Sequence, residues 1–236
     1  SSIRLVSGSL YYSWFNITSA FGNNKVSYIW LASPQVDLTM PAGLYGISEI
    51  TGYIQFEMKQ NLHYTVDDNG NDVYYIDIAI NNPQQVFTIE CRPVKTTVTP
   101  PTGATWTAPD TDTTPQLKIA NTGFGTLTGF DNGTYPATTQ STLYQVNSVK
   151  NPLISPQTTI LFRLPQLVNN SKYADKGYDD VIHALTPSVP PGSLQSLEPL
   201  TEDWRGVESG WYSSFTVLIV DQNLNKNIPY DDNGTL

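Results

Sequence analysis

The chain has 236 residues, and 21 acidic against 12 basic residues leave a formal net charge of −9. Its basic residues are scattered, so the sequence predicts no nucleic-acid binding, because phosphate contacts need clustered Lys and Arg to displace counterions. No apolar stretch approaches the roughly 20 residues that span a bilayer.

Only 14% of the residues are charged, whereas Tyr, Thr, Asn, Pro and Gly are abundant. This composition is typical of many short strands joined by turns. We therefore predict one all-β domain over residues 1–236. Cys91 is the single cysteine, so the chain forms no intrachain disulfide, which fits assembly in a reducing compartment.

Alternating apolar residues predict strands throughout the first half of the chain. These strands are Ile3–Ile17 with a break near Gly8, Val26–Leu31, Val36–Met40, His63–Val66, Val73–Ile80 and Val86–Cys91. Between them, apolar residues recur at helical spacing from Ile50 to Met58, and Glu49 suits the positive end of a helix. We predict one short helix over about Ser48–Lys59, capped by the Ser48 hydroxyl.

The second half of the chain opens with a segment that lacks periodicity. Arg92–Pro115 is rich in Thr and Pro, with Trp106 as its lone large apolar side chain, and predicts a long exposed loop over residues 92–115. Further extended segments follow: Gln116–Ile119, Phe124–Phe130, Gln140–Val146, Thr158–Leu164, Val181–Leu185 and Ser193–Leu200. Long loops between strands that cannot all pair with sequence neighbours favour a Greek-key or jelly-roll sandwich.

An apolar run rich in β-branched residues lies near the C-terminus. Phe215–Val220 has no polar alternation and is bounded by turn residues, which predicts a central strand buried on both faces. In a jelly roll the first and last strands lie in the same sheet, so Ile3–Ile17 is the expected pairing partner of this run.

The sequence presents no clear catalytic or metal-binding set. His63 and His183 are far apart and lack companion ligands for zinc. The segment Asp67–Asp72 does not match the EF-hand spacing of calcium ligands, so it predicts a plain hairpin turn. Asp231–Gly234 is likewise predicted to be a turn and not a calcium site. Cys91 lies in an apolar strand and predicts an inert thiol. We therefore predict no catalytic, cofactor-binding or metal-binding residue, although a carboxylate pair assembled by the fold is not excluded by sequence.

Aromatic residues leave two interpretations open. They could build a sugar-binding platform, or they could pack the sandwich and its subunit contacts, which we favour. The residues concerned are Tyr11, Tyr12, Trp14, Tyr28, Trp30, Tyr74 and Tyr75.

Several short sequence segments, called phrases below, follow one another along the chain. Together they resemble the minor capsid (penton) proteins of Polinton/Maverick elements, polinton-like viruses, adintoviruses and virophages. The phrases are LYYSWFNI (Leu10–Ile17), NNK (Asn23–Lys25), PAGLYGISEI (Pro41–Ile50), VYYI (Val73–Ile76), TPQL (Thr114–Leu117), FGTLTGFDNGTYP (Phe124–Pro136) and SSFTVLIVDQNLN (Ser213–Asn225). One departure from the family pattern is that no strong strand follows Asn225.

This resemblance implies a non-enzymatic structural protein with a single jelly roll of two antiparallel sheets and about eight strands. Five copies would form a homopentamer at the five-fold vertices of an icosahedral virion that is assembled inside the host cell. The implied neighbours are trimers of a double jelly-roll major capsid protein and a spike or cement protein. The alternatives are a trimeric, receptor-binding fibre-head domain and a carbohydrate-binding β-sandwich.

Overall fold

A computed structural model describes residues 2–3, 5–12, 14–154, 159–165, 180–189, 193–197, 205–206 and 214–221. The chain divides into two compact units. The central unit is Asn16–Pro156, and the terminal unit combines Ser1–Phe15 with Gln157–Leu236. The prediction of a single domain over residues 1–236 stays a prediction.

Sixteen strands and two helices occur in the described ranges. The strands are β1 Ser2–Ile3, β2 Gly8–Tyr11, β3 Lys25–Ile29, β4 Gln35–Thr39, β5 Thr65–Val66, β6 Asp72–Val73, β7 Ile76–Asn81, β8 Val86–Cys91, β9 Gln116–Ile119, β10 Gly133–Tyr135, β11 Tyr144–Asn147, β12 Ile160–Arg163, β13 Val181–Leu185, β14 Leu194–Leu197, β15 Arg205–Gly206 and β16 Leu218–Asp221. The helices are α1 Ile47–Gln60 and α2 Thr122–Thr128.

The central unit contains the two-stranded sheet β5-β6 and two larger antiparallel sheets that share one apolar core. One sheet has the order β10-β9-β3-β4 and the other β11-β8-β7. Alternate residues on the strands point inward, as Ile89 and Cys91 do on β8, while Thr88 and Glu90 remain partly exposed. This period of two is why the alternating sequence forms strands here, since it gives each strand one apolar face.

Helix α1 confirms the predicted helix, and its buried residues Ile50, Ile54 and Met58 face the same core. The predicted cap is wrong. The helix begins one residue earlier than expected, so Gly46 is the N-cap residue and makes no side-chain cap bond. Ser48 lies inside the first turn, where its hydroxyl donates to Glu49 Oε2 at 3.1 Å.

The prediction of an extended segment over Phe124–Phe130 is wrong, because most of it is helix α2. The Asn121 side chain caps this helix by accepting hydrogen bonds from the backbone N–H of Gly123 and Phe124. Gly129, with φ of 81°, ends it in the left-handed conformation that glycine adopts without strain. The two glycines inside the helix concealed it, since glycine disfavours helix interiors.

The predicted loop over residues 92–115 contains no helix and no named strand, apart from an isolated bridge between Val94 and Thr113. The prediction that this loop is exposed is wrong for two of its apolar residues. Val94 and Trp106 are buried in the core, and the Trp106 indole N–H donates to the Leu62 carbonyl at 2.6 Å.

The terminal unit contains the sheet β13-β12-β16 and the pairs β2-β14 and β1-β15. The prediction that Ile3–Ile17 pairs with the last apolar run is wrong for the described strands, since β16 pairs with β12 and lies at the sheet edge. The prediction that the run Phe215–Val220 is buried on both faces is also wrong for its first half, Phe215–Val217. Strand β16 begins only at Leu218, Val217 is 49% exposed, and Val220 is fully buried.

The predicted all-β class with antiparallel sheets of a jelly-roll-like sandwich is confirmed. Most predicted strands agree within two to four residues, and β8 and β9 agree at both ends. The prediction for Asp231–Gly234 lies outside the described residues, as do residues 211–213 and 222–225.

Candidate functional surfaces

Four of the seven aromatic residues named for a sugar platform pack the interior, as the packing interpretation predicts, and their part in subunit contacts stays a prediction. Trp14, Tyr28, Trp30 and Tyr75 are buried. The Trp30 ring stacks on the His63 ring at 5.5 Å between centroids and meets the Tyr75 and Trp106 rings edge-on. These faces therefore contact protein rather than a ligand.

His63 is a buried member of this aromatic cluster. Its Nδ1 lies 3.0 Å from the Tyr28 hydroxyl. Burial lowers the pKa of His63 from 6.5 to about 4, because the desolvated ring favours its neutral form. The other histidine, His183, lies on β13 of the terminal unit with its ring near Phe162.

The Asp67–Asp72 segment is a hairpin turn between β5 and β6, as predicted. The Asp67 carboxylate accepts hydrogen bonds from the backbone N–H of Asn69 and Asn71. The bonds from Asn71 are the leading cause that holds the pKa of Asp67 below its usual value. In the ranges the structure covers, no three His, Cys, Asp or Glu residues cluster as a metal site would require.

Cys91 is a buried thiol, as predicted. Its Sγ donates to the Tyr135 carbonyl at 3.4 Å, and burial raises the pKa of Cys91 to about 12. A thiol held protonated in this way is a poor nucleophile. Within the described part of the chain, neither helix is long and apolar enough to cross a membrane.

Asn16 is the centre of a buried polar network that the sequence did not reveal. Its side-chain NH₂ donates to the carbonyls of Tyr45 and Ile154, each at 2.7 Å. Its Oδ1 accepts from the Tyr45 N–H at 2.8 Å. Asn23 completes the network by donating to the Asn16 carbonyl at 2.7 Å and accepting from the Thr18 N–H.

This network joins three of the phrases that carry the family resemblance. Asn16 lies in LYYSWFNI, Asn23 in NNK and Tyr45 in PAGLYGISEI. An antiparallel bridge between Ile17 and Gly43 joins the first and third phrases again. Buried amides that are fully bonded specify one arrangement of the chain, because leaving one unpaired costs roughly 1–3 kcal/mol.

The outer strands of the two larger sheets in the central unit differ in whether another element hydrogen-bonds to their edges. Helix α1 closes the edge of β7 through Thr51 and Gln55, which bond to the backbone of Ile78 and Ile76. The same helix also reaches the edge of β4, where the Tyr53 hydroxyl donates to the Thr39 carbonyl at 2.9 Å. On the other side of the unit, no described strand pairs with the outer edge of β11.

Large apolar side chains are exposed at several separate places. Leu143 directly precedes β11 and is 50% exposed, and it lines a depression together with Tyr75, Pro93 and Arg92. In the terminal unit, Tyr11 and Leu194 lie directly opposite each other on β2 and β14, and both are exposed. Exposed apolar groups of this kind mark candidate contact surfaces.

Comparisons with known proteins give one structural similarity. No family model matches the chain, and no curated protein matches it. The crystal structure of the SeMet-labelled mavirus penton protein aligns with 95% of this chain and 78% of that chain, at a TM-score of 0.34 and 8% identity. At these values the similarity assigns neither a family nor a function.

Proposed function

We propose that this chain is a structural capsid protein of the penton type, a single jelly-roll domain that forms a homopentamer at the five-fold vertices of an icosahedral virion. Its neighbours there are trimers of a double jelly-roll major capsid protein, and a spike or cement protein is a further partner. The proposal assigns no catalytic, cofactor-binding or metal-binding residue and places assembly inside the host cell.

The observation that carries the proposal is the convergence of the resembling phrases on Asn16. Phrases that matched a family by chance would have no reason to meet in the fold. Here three of them share a buried network that holds the chain between Asn16 and Tyr45 in one arrangement. The residues that suggest the family are therefore also residues that specify this fold.

The exposed apolar side chains suit a protein that functions by binding other subunits. Cross-strand contacts and α1 order the central unit, while Leu143, Tyr11 and Leu194 remain exposed. A closed five-fold ring uses heterologous contacts, in which one face of a subunit meets a different face of the next. Exposed apolar groups in both units suit this geometry.

Native mass spectrometry of the full chain tests the stoichiometry. We expect a species of five times the 26.1 kDa chain mass. Electron microscopy of purified particles should then show this chain at the five-fold positions. A trimeric species, with density confined to projecting spikes, would instead favour the fibre-head alternative.

A further inference from the structure

Two cations on the outer face of the sheet β10-β9-β3-β4 have no ion-pair partner among the described residues. Seven basic side chains lie in the described ranges. Five of them form ion pairs with carboxylates, namely Lys59, Arg92, Lys95, Lys150 and Arg163. The remaining two are Lys25 on β3 and Lys118 on β9. On a chain of net charge −9, this face is therefore a favourable place for an anionic group to approach.

The strand register places both cations near Asp37. Side chains alternate along a strand, so Lys25 and Ser27 point to the same face, away from the core. Ser27 lies between Asp37 on β4 and Lys118 on β9, in a row across three strands. Hydrogen bonds from Gln35 and Ser27 are the leading cause that holds the pKa of Asp37 below its usual value. The charges of Lys118 and Lys25 lower this pKa further, so both cations lie within electrostatic reach of the carboxylate.

A depression of about 350 Å³ opens on this face, within the volume range of small-molecule sites. Lys118 borders it, because its ammonium group donates to Gln35 Oε1 at 2.8 Å. The polar residues that line the depression are Lys25, Ser27, Gln35, Asp37, Thr39 and Asn121. Ammonium, hydroxyl, amide and carboxylate groups are thus brought together in one place.

These groups retain unused hydrogen-bonding capacity. Asp37 accepts from Ser27 and Gln35 through Oδ1, and no described donor reaches its Oδ2. The ammonium group of Lys25 has no hydrogen-bond partner in the part of the chain that the structure describes. Lys118 uses one of its three ammonium N–H groups. The depression therefore offers a free carboxylate oxygen beside several free N–H donors.

We propose that this depression binds a sugar that carries a carboxylate, with a hexuronic acid as the simplest example. Lys25 and Lys118 bind the sugar carboxylate, and Asp37 Oδ2 accepts hydrogen bonds from sugar hydroxyl groups. An anion without hydroxyl groups gains less, because Asp37 repels it and receives no hydrogen bond in return. A neutral sugar lacks the group that the two cations attract. Only a molecule with both kinds of group uses the whole site.

This site is separate from the surfaces considered above. None of the seven aromatic residues named for a sugar platform lines the depression. Leu143 and Tyr11, which are exposed and suit subunit contacts, do not line it either. Sugar binding is therefore independent of the proposed assembly, and a failure of one leaves the other standing.

Saturation-transfer difference NMR of the full chain tests the ligand class, since it detects weak binding to large assemblies. The probes are glucuronate, glucose as the neutral sugar, and acetate as the carboxylate without hydroxyl groups. We expect glucuronate to bind at least about tenfold more tightly than either control, because each control lacks one set of contacts. No saturation transfer to glucuronate overturns the proposal. Acetate that binds as tightly as glucuronate also overturns it, since the site then holds an adventitious ion only.

Substitutions on the exposed face locate the binding. Lys25→Gln and Lys118→Gln should each lower the affinity for glucuronate about tenfold. Lys59→Gln is the matched control, because it removes an exposed lysine on α1, far along the chain and paired with Asp72, and should keep the wild-type affinity. Equal affinity of the three variants overturns the site. Circular dichroism confirms that each variant is folded.

Asp37→Asn separates sugar binding from anion binding. Removal of the negative charge should strengthen the binding of acetate, since the repulsion is lost. The same substitution should weaken the binding of glucuronate, because a neutral amide is a poorer acceptor for hydroxyl groups than a carboxylate. If Asp37→Asn binds glucuronate more tightly than wild type, Asp37 does not receive the sugar hydroxyl groups and the proposal is wrong.

Discussion

One hydroxyl group, that of Thr51, satisfies both backbone groups of Ile78. It donates to the Ile78 carbonyl at 2.9 Å and accepts from the Ile78 N–H at 3.3 Å. Those groups lie on the side of β7 that faces away from β8, because Tyr75 and Arg92 form a bonded pair in that ladder. The side chain of a helix thus takes the place of another strand and closes the sheet.

Thr51→Val should therefore leave two buried backbone groups without a partner. We expect a loss of about 1–3 kcal/mol in the free energy of unfolding, measured by urea denaturation. Thr51→Ser is the control, because it keeps the hydroxyl and should lose much less. If Thr51→Val were as stable as wild type, the hydroxyl would not be needed at this edge.

His63 should make the chain sensitive to mild acid. Its pKa is about 4 in the folded chain and about 6.5 when unfolded, so the unfolded chain binds more protons between these values. The stability contributed by neutral His63 is complete above about pH 6.5 and falls as the pH decreases to about 4.

We expect this loss to be on the order of 2–3 kcal/mol. The measurement is the difference in unfolding free energy between wild type and His63→Phe across this range, which removes the contribution of other titrating groups. A difference that stays constant with pH would contradict the prediction.

Asn16→Ala should be among the most damaging single polar substitutions in the central unit. It removes the two bonds donated to the Tyr45 and Ile154 carbonyls and the one accepted from the Tyr45 N–H. We expect a loss of about 2–4 kcal/mol in thermal or urea unfolding, since several buried groups lose their partner together. Asn82→Ala, in the exposed turn after β7, is the matched control and should change stability by less than about 0.5 kcal/mol.

Two glycines in helices should respond to alanine in opposite directions. A Cβ at Gly123 in α2 would overlap the Gly22 carbonyl oxygen, which belongs to the backbone and cannot move without shifting the chain. A Cβ at Gly52 in α1 would meet nothing within 4 Å. Gly52→Ala should therefore stabilise the chain by about 0.5–1 kcal/mol.

Gly123→Ala should instead destabilise the chain, even though alanine favours helix more than glycine does. Melting temperatures of the two variants, measured in parallel, provide the comparison. Stabilisation by both substitutions would mean that α2 does not approach Gly22 as closely as the structure has it.

Local patterns in the sequence determined much of the secondary structure. Strands β8 and β9, helix α1 and the turn at Asp67 follow from period-two alternation, helical spacing and turn residues, all of which are read within a few positions. The expectation of an inert Cys91 has the same local basis, since an apolar strand surrounds the thiol.

Only the tertiary structure decided which of these segments meet. Pairing of β16 with β12, burial of Trp106 against Leu62, and the network around Asn16 depend on partners tens of residues away. A local window contains no information on such partners, because several strands with alternating patterns are equally able to pair. The same reason explains why the edge of β11, which no described strand pairs, could not be found in the sequence: an edge exists only once the other strands have been paired.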